Sequence, residues 1–342
     1  MLRLSIICVF FTYTFLQSMA DPDESSFKED EDLSQLRTQF EKFKETYNKA
    51  YEEHEEENRF QIFVENLKKA KEMQEQDRGT AEYGITKFSD MSDEEFNGFY
   101  FNEELSNASS WPKEAFYQDE GTPMTNLSCP RQCDWRKYGA VTQVKDQRKC
   151  GSCWAFAAVA NIESMWYIKR KQLVDLSEQE LLDCDTYDKA CKGGYPYNAY
   201  NVIMKLGGVM RACDYKYVAA RRTCRFRSTA VAAKIVTFRS IRSHECEMSA
   251  WIARNGPLVV TMNAAAMKGY KRGIARPSFY GCRPNVMNHV VAIVGYGVYR
   301  TYPYWIIKNS WGANWGEQGY FRIYRGEKAC GLNQFPVSAI VN

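Results

Sequence analysis

Three side chains with complementary chemistry occur in a fixed order, and this order constrains the fold more than any other feature. Cys153 lies in the motif CGSCWAF, His289 opens a valine-rich run, and Asn309 follows in KNSWG. A thiol, an imidazole that takes its proton and an amide that orients the imidazole are the components of a nucleophilic cysteine site. These residues are far apart in the chain, so the fold must bring the helix at Cys153 against the later strands.

Cys153 is expected at the start of a helix that ends near Lys171. The positive end of a helix and a nearby imidazolium both favour the thiolate, so we expect its pKa to lie below the usual value of about 8.5. The alternatives are a redox pair with Cys150 or half of a metal site. A redox pair needs a preceding strand, and zinc would need more closely spaced ligands than a chain with three histidines offers. Neither a metal nor a cofactor is expected.

The predicted base is His289. His54 lies in an acidic helical stretch and His244 in a charged segment, and neither pattern would fix a base. A lone histidine beside valines can also be a core residue, but the order with Cys153 favours catalysis. Asn309 would orient the imidazole, unless it is only a turn residue.

Two further residues extend this predicted site. Trp311 would shield the bond between the imidazole and the orienting amide from water. Gln147 precedes the thiol closely, so its amide and the Cys153 backbone N–H are candidate donors to an oxyanion. The alternative is that Gln147 is only a polar loop residue.

The first 20 residues have the pattern of a signal peptide. An apolar run from Leu4 to Leu16 follows Arg3 and precedes Ser18-Met19-Ala20, which indicates cleavage after Ala20. The alternative is a buried N-terminal helix. The signal-peptide pattern predicts the secretory pathway, with a lysosomal or extracellular destination. No later run is long and apolar enough to span a membrane.

The cysteine count agrees with a secretory route, where disulfides persist. The chain has 12 cysteines, and Cys8 would leave with the signal peptide. The remaining number is odd, which indicates at least one free thiol. A nucleophilic thiol would account for it.

Charge divides the rest of the chain into two parts. Residues 21–127 contain 12 Lys+Arg against 28 Asp+Glu, whereas residues 128–342 contain 32 against 14. The acidic part is predicted to be helical, with apolar stripes at helical spacing. The stripes are Leu33, Leu36, Phe40 and Phe43, then Phe60, Phe63, Val64, Leu67 and Ala70. Residues 105–130 read as an exposed linker with glycosylation acceptors at Asn107 and Asn126.

The basic part changes from helical to strand-like patterns. A helix at Cys153 and a second one capped by Ser177 come first, and the chain becomes strand-like from Ile235 onward. The predicted strands cover 257–260, 289–294, 304–307 and 320–323, with glycine-rich turns between them. This order predicts an α+β fold with two halves that meet at a cleft.

On these residues the chain resembles the papain family of cysteine proteases. Gln147, Cys153, His289 and Asn309 fall on the family's oxyanion glutamine, nucleophile, base and orienting asparagine. The acidic part resembles the family's inhibitory propeptide and carries the helix signature of its cathepsin F-like branch. The signature residues are Glu55, Arg59, Phe63, Asn66, Ala70 and Gln74, followed by a second motif at Gly84, Thr86, Phe88 and Asp90.

The resemblance implies a two-lobe fold, with a helical left half and a β-barrel right half preceded by a helical propeptide. It implies a signal peptide at 1–20, an inhibitory propeptide at 21–127 and a papain-like peptidase domain at 128–342, with maturation near Leu127 or Ser128. The implied substrate-binding residues are Gly193, Gly194, Tyr195, Pro196, Thr261, Met287, Trp311 and Phe335. Tyr195, Pro196, Thr261 and Met287 would line the pocket for the residue before the scissile one (P2), with Phe335 at its base.

The resemblance also implies disulfides Cys150–Cys191, Cys184–Cys224 and Cys282–Cys330. Cys129, Cys133, Cys213 and Cys246 have no partner in the family pattern. We expect at least one further bond, Cys129–Cys133 or Cys213–Cys246, although four cysteines allow three pairings. Asn288 stands before the base, where many relatives have aspartate.

These implications predict an endopeptidase made as a zymogen, which acts through an acyl-enzyme and prefers a bulky apolar residue at P2. A silent relative that serves as a binding or storage protein, or an exopeptidase of the same family, would share the fold. Expected partners are protein and peptide substrates, the protein's own propeptide, cystatin-type inhibitors and polyanionic glycans. Nucleic acid is not expected, and the protein should be a monomer. Charge should close the zymogen at neutral pH and release it in acid, unless apolar contacts hold it.

Overall fold

The computed structural model describes residues 22–106, 131–279 and 281–342, with side chains described from 32 to 105 in the first range. The helices are α1 (Pro22–Tyr47), α2 (Glu53–Gln76), α3 (Asp93–Tyr100), α4 (Cys153–Arg170), α5 (Glu178–Cys184), α6 (Pro196–Leu206) and α7 (Glu245–Arg254). The expected signal peptide and both glycosylation acceptors lie outside the described residues.

The strands are short in the first half of the chain and longer in the second. They are β1 (Glu82–Tyr83), β2 (Cys133–Asp134), β3 (Val209–Met210), β4 (Val231–Ala233), β5 (Thr237–Ser240), β6 (Leu258–Met262), β7 (Tyr270–Arg272), β8 (Ile274–Ala275), β9 (His289–Tyr299), β10 (Tyr302–Lys308), β11 (Tyr320–Tyr324) and β12 (Val337–Ile340).

The chain forms two compact units, residues 1–51 and 52–342. In the described part of the first unit, α1 carries the predicted phenylalanine stripe. Phe40 stacks on Phe43 with ring centroids 6.1 Å apart and on Tyr51 at 6.0 Å. Aromatic packing of this kind stabilises the helix and the turn that follows it.

In the second unit, the propeptide signature links α2 to α3. Arg59 forms ion pairs of 2.7 Å with Glu55 on its own helix and with Glu95 on α3. The α3 helix begins with a capping box, in which Ser92 accepts from the Glu95 N–H and Glu95 accepts from the Ser92 N–H. The predicted signature therefore forms the contact between these two helices.

Asn66 extends the same contact. Its amide donates to the carbonyls of Ser89 and Met91, at 2.9 and 2.8 Å. Two of the predicted apolar residues, Phe60 and Phe63, are fully buried. The helical character predicted for the acidic part is correct.

The first half of the basic part packs around α4. Twelve of its residues are buried, beginning with Cys153 and Trp154, so this helix lies in the core rather than on a surface. Ser177 caps α5 by accepting from the Glu180 N–H, as its position in the sequence predicted.

The later strands form one sheet of eight strands. Along the main path the order is β5-β12-β6-β9-β10-β11-β8, and β2 pairs with β9. We expected a closed barrel, but the edge strands β5 and β8 do not pair with each other among the described residues, so the sheet is open. Strand β8 has only two residues, and β7 pairs with β1 of the acidic part instead.

One helix in this half was missed. We expected strands from Ile235 onward, yet α7 covers Glu245–Arg254. Its Met248 and Ile252 are fully buried in the core beneath the sheet. They are four positions apart, a helical spacing that the charged residues around His244 obscured in the sequence.

The three implied disulfides are present: Cys150–Cys191, Cys184–Cys224 and Cys282–Cys330. Cys246 is also disulfide-bonded, which confirms the expectation of at least one further bond. Cys133 and Cys213 are free, so the suggested pairings Cys129–Cys133 and Cys213–Cys246 are both wrong. Cys133 lies in β2, where its backbone pairs with that of Tyr296 in β9, and Cys213 lies on an exposed turn.

Candidate active site

His289 and Asn309 meet because antiparallel β9 and β10 place the start of one strand beside the end of the other. His289 Nε2 lies 2.8 Å from Asn309 Oδ1. The imidazole is fully buried, and its Nδ1 has no hydrogen-bond partner among the described residues. The Trp311 ring lies 4.9 Å from the imidazole, measured between centroids, where it excludes water from the His289–Asn309 bond.

Cys153 is the first residue of α4 and is fully buried. The backbone N–H of Val290, the residue after His289, acts to lower the pKa of its thiol. Helix α4, which begins at Cys153, packs against β9, which begins at His289.

Burial changes the ionisation of both groups in this covered state. Burial raises the pKa of the Cys153 thiol to about 12. Burial lowers the pKa of His289 to about 4, although the bond to Asn309 acts in the opposite direction. The expected low thiol pKa is therefore wrong for this form, because a buried site without water favours the neutral thiol and the neutral imidazole.

Gln147 is fully buried rather than in a free loop. Its side-chain carbonyl accepts from Ser310 Oγ at 2.7 Å, and its amide donates to the Cys150 carbonyl at 2.8 Å. The same amide donates to the carbonyl of Tyr100, at 3.2 Å. The Gln147 amide, which is the predicted oxyanion donor, therefore donates to a carbonyl from the acidic part.

Residues 100–105 pass through the cleft. Leu105 was expected to begin an exposed linker, but it is 1% exposed, so that bound is wrong. A Cβ on Gly151 would lie 2.6 Å from the Phe101 carbonyl oxygen, so glycine permits this close passage. The Asn102 side chain is hydrogen-bonded to Gly194, and Tyr195 Oη donates to the Glu104 carbonyl at 2.8 Å. The aromatic run after the α3 capping box is the only signal that could have identified this segment.

The predicted P2 pocket residues are all buried or half-buried. Tyr195, Met287 and Leu105 belong to one apolar cluster, against which the half-buried Phe335 packs. Thr261 is only 1% exposed. Pro196 is buried as the first residue of α6, directly after the Gly193-Gly194 turn.

An aromatic cluster attaches α3 to the opposite side of the cleft. Trp311 makes edge-to-face contacts with Phe88, Phe96 and Tyr100, at centroid distances of 5.3, 5.3 and 5.9 Å. Such pairs add to the energy of apolar burial. The second propeptide motif thus contributes Phe88 to the covering of the site.

Backbone pairing reinforces this attachment. The Gly84 N–H donates to the Gly269 carbonyl at 2.9 Å, and Thr86 Oγ1 donates to the Lys268 carbonyl at 2.7 Å. In the described parts of the chain, no cluster of three or more potential metal ligands occurs. No described helix is both long and apolar enough to cross a membrane.

The fold and site define an α+β protein whose cleft is filled by its own N-terminal segment. Residues 129–340 match the papain family cysteine protease domain, and residues 40–96 match the cathepsin propeptide inhibitor domain (I29). The chain belongs to the papain family of cysteine proteases and carries the cathepsin propeptide inhibitor domain in front of the protease domain.

Relatives agree with this assignment. The chain is 46% identical to mouse cathepsin F over 304 residues, which cover 89% of this chain and 64% of that protein. It is 38% identical to Drosophila melanogaster cathepsin F over 314 residues, covering 88% of this chain and 50% of that protein. The chain thus spans one half to two thirds of the length of these relatives.

Solved proforms share the fold. A recombinant stem bromelain precursor superposes with a TM-score of 0.78 at 33% identity, covering 90% of this chain and 99% of that one. Procathepsin L 3 from the larval midgut of Tenebrio molitor gives 0.77 at 29% identity, with the same coverage. The papain-like fold and its helical propeptide are therefore correctly predicted.

Proposed function

We propose that the protein is a cysteine endopeptidase in which Cys153 is the nucleophile, His289 the general base and acid, and Asn309 the orienting amide. The observation that supports the proposal is the 2.8 Å contact between His289 and Asn309, together with the influence of the Val290 N–H, one residue after His289, on the Cys153 thiol. A thiol, an imidazole and an orienting amide are the groups that nucleophilic catalysis requires.

In the proposed reaction, Cys153 Sγ attacks the scissile carbonyl and its proton passes to His289. The Gln147 amide and the Cys153 backbone N–H donate to the oxyanion. His289 then protonates the leaving amine, which departs and leaves an acyl-enzyme. Water, deprotonated by His289, attacks the thioester carbonyl, and the carboxylic acid leaves as the thiol is restored. Each oxyanion donor of this kind typically contributes about 10²–10³ in rate.

The propeptide would inhibit by passing through the cleft against the direction of a substrate. The Tyr100 carbonyl lies at the Gln147 amide, whereas Leu105, later in the chain, belongs to the cluster of the P2 pocket. In a cleaved substrate, the P2 residue precedes the scissile carbonyl. This reversed order presents no peptide bond to Cys153 in a productive orientation.

The pocket supports a preference for bulky apolar residues at P2. Leu105 is 1% exposed among Tyr195, Met287 and Phe335, none of which is charged. A buried arginine or lysine of the substrate would lie there without a partner, at a cost of several kcal/mol. We propose Leu and Val as preferred residues, with Trp excluded by Phe335.

Two alternatives are tested directly. A catalytically silent relative would not react with a vinyl sulfone after maturation, whereas the proposed enzyme is labelled at Cys153. An exopeptidase would fail to cleave an internally quenched peptide that is blocked at both ends.

Cys153→Ser should fold and abolish turnover, with Cys213→Ser as the matched control. Substantial remaining activity in Cys153→Ser would reject the assigned nucleophile.

The remaining proposals follow from the family and the charge distribution. The segments proposed are a signal peptide at 1–20, a propeptide at 21–127 and a mature peptidase from 128, active as a monomer in lysosomes or outside the cell. Cystatin-type proteins would inhibit it, and the basic mature part would bind polyanionic glycans. Asn107 and Asn126 would carry glycans if the chain enters the secretory pathway.

A further inference from the structure

Asn102, in the acidic part of the chain, contacts the predicted substrate-binding turn at Gly193-Gly194. It is 1% exposed, and its Nδ2 donates to the Gly194 carbonyl at 2.6 Å while its Oδ1 accepts from the Gly194 N–H at 3.2 Å. One side chain therefore satisfies both the donor and the acceptor of the same backbone position.

The Asn102 backbone is used elsewhere. Its N–H donates to the Asn288 carbonyl at 2.8 Å, and its carbonyl accepts from the Leu105 N–H at 3.2 Å. The side chain of Asn102, rather than its backbone, therefore contacts Gly194. A primary carboxamide has an acceptor and donors in one plane, like a peptide group, so it can take the place of a substrate backbone at Gly194.

The fit against the neighbouring glycine is close. A Cβ on Gly193 would lie 2.0 Å from Asn102 Oδ1, and Gly193 has a φ of +130° that favours glycine. The same Oδ1 accepts from the Glu104 N–H at 3.2 Å, a local turn that fixes the amide before docking. The Asn102 side chain also acts to lower the pKa of the Cys153 thiol, which burial raises.

We propose that the Asn102 side chain is a peptide-bond mimic that closes the zymogen by occupying the substrate-backbone position of Gly194 and covering Cys153. The proposal rests on the assignment of Cys153 and the Gly193-Gly194 turn to the active site. It identifies Asn102 as an inhibitory residue whose amide donor, rather than its size, keeps the cleft closed.

The test measures alkylation of Cys153 by iodoacetamide in the full-length proform at pH 7.5, located by peptide mapping. Loss of a buried hydrogen bond shifts the opening equilibrium, so Asn102→Ala should be labelled about tenfold to a hundredfold faster than the unchanged chain. Asn102→Asp has the same shape but no N–H to donate, and should be labelled as fast as Asn102→Ala. Asn97→Ala, on the exposed face of α3, is the matched control and should leave the rate unchanged.

Several results would overturn the proposal. Labelling of Asn102→Ala within twofold of the unchanged chain would show that the amide does not close the cleft. Equal acceleration by Asn97→Ala would indicate general loosening of the propeptide, and slow labelling of Asn102→Asp would reject the role of the donor. Global unfolding of both Asn102 variants, followed by circular dichroism, would make the residue structural only. Because labelling needs no turnover, failure of the matured enzyme to cleave peptides would count against the proposed function alone.

Discussion

Lys268 Nζ lies 2.8 Å from Asp93 Oδ1 and so connects the basic part of the chain to the first turn of α3. Lys69 on α2 approaches the other oxygen of the same carboxylate at 2.7 Å. Lys268 also donates to Asn66 Oδ1 and to the Met91 carbonyl, at 2.9 and 2.8 Å. The opposite charges of the two parts therefore meet at a defined contact.

Asp93→Asn should weaken this contact at neutral pH. Burial acts to raise the pKa of Asp93, but hydrogen bonds from Lys268 and Lys69 outweigh it and lower that pKa. A lowered carboxyl pKa stabilises docking above the ordinary value of about 4, and this stabilisation is lost only as pH falls below it. The side chain is about half exposed, so the loss should be below about 1 kcal/mol.

The measurement is the autoactivation rate of the full-length proform between pH 7 and 3.5. The variant should activate a few times faster than the unchanged chain at pH 5 and above, and the two rates should converge below about pH 4. Asp32→Asn, an exposed acid on α1, is the control. A difference between the rates that disappears already at pH 6 would contradict this origin of the effect.

Salt should accelerate activation of the proform at pH 5 if charge contributes to closure. The exposed ion pairs between the two parts, Arg78–Glu327 and Arg272–Glu82, are open to screening. Packing of Phe88 and Phe96 on Trp311 is not screened. A rate that is unchanged between low and high sodium chloride would therefore assign closure to apolar contacts.

Cys153 should be unreactive in the intact proform and reactive after maturation. Its thiol has a pKa of about 12 in the covered state and His289 a pKa of about 4, so neither is charged at pH 7. Removal of the covering segment exposes both to water and restores the ion pair that favours thiolate. Iodoacetamide at pH 7 should label Cys153 at least about a hundredfold faster in matured protein, with Cys213 as an internal reference in both forms. Similar Cys153 rates in the two forms would reject this account.

Sequence reasoning located the site because its residues carry distinctive chemistry in a fixed order. Cys153 at a helix start and His289 at a strand start follow from local patterns. The covered state could not be predicted from local patterns, because it depends on contacts of Tyr100, Phe101 and Asn102 with residues that lie far along the chain. The pairing of β7 with β1 likewise depends on a contact between residues that are far apart in the chain.

The cysteine pairing shows the same limit. We suggested a local Cys129–Cys133 pair with Cys213–Cys246 as the other, yet Cys246 is bonded while Cys133 and Cys213 are free. Among the described cysteines no partner remains for Cys246, and Cys8 would leave with the signal peptide. We therefore predict a Cys129–Cys246 bond in the secreted chain.

Peptide mapping of the denatured, unreduced proform checks this bond. Cys133, Cys153 and Cys213 should be alkylated, and a linked peptide should contain Cys129 and Cys246. Cys246→Ser should lose that linked peptide and expose Cys129 as a fourth thiol. Recovery of Cys129 as a free thiol in the unchanged chain would refute the prediction.

Phe335→Ala should widen the P2 specificity of the matured enzyme. Phe335 packs against the cluster that contains Leu105, Tyr195 and Met287, and its removal leaves room for larger side chains. Because the pocket stays uncharged, Phe and Trp should gain at P2 relative to Leu, by about tenfold in kcat/KM, while Arg and Lys gain little.

A fluorogenic peptide library measures these ratios for the unchanged enzyme, for Phe335→Ala and for Phe279→Ala, a matched change at a residue that is 60% exposed. Turnover of the best Leu substrate should stay within a few fold, because Phe335 does not contribute to the Cys153–His289–Asn309 group. A profile of the unchanged enzyme that peaks at Arg, or a Phe335→Ala profile identical to that of Phe279→Ala, would reject the assignment of Phe335 to the base of the pocket.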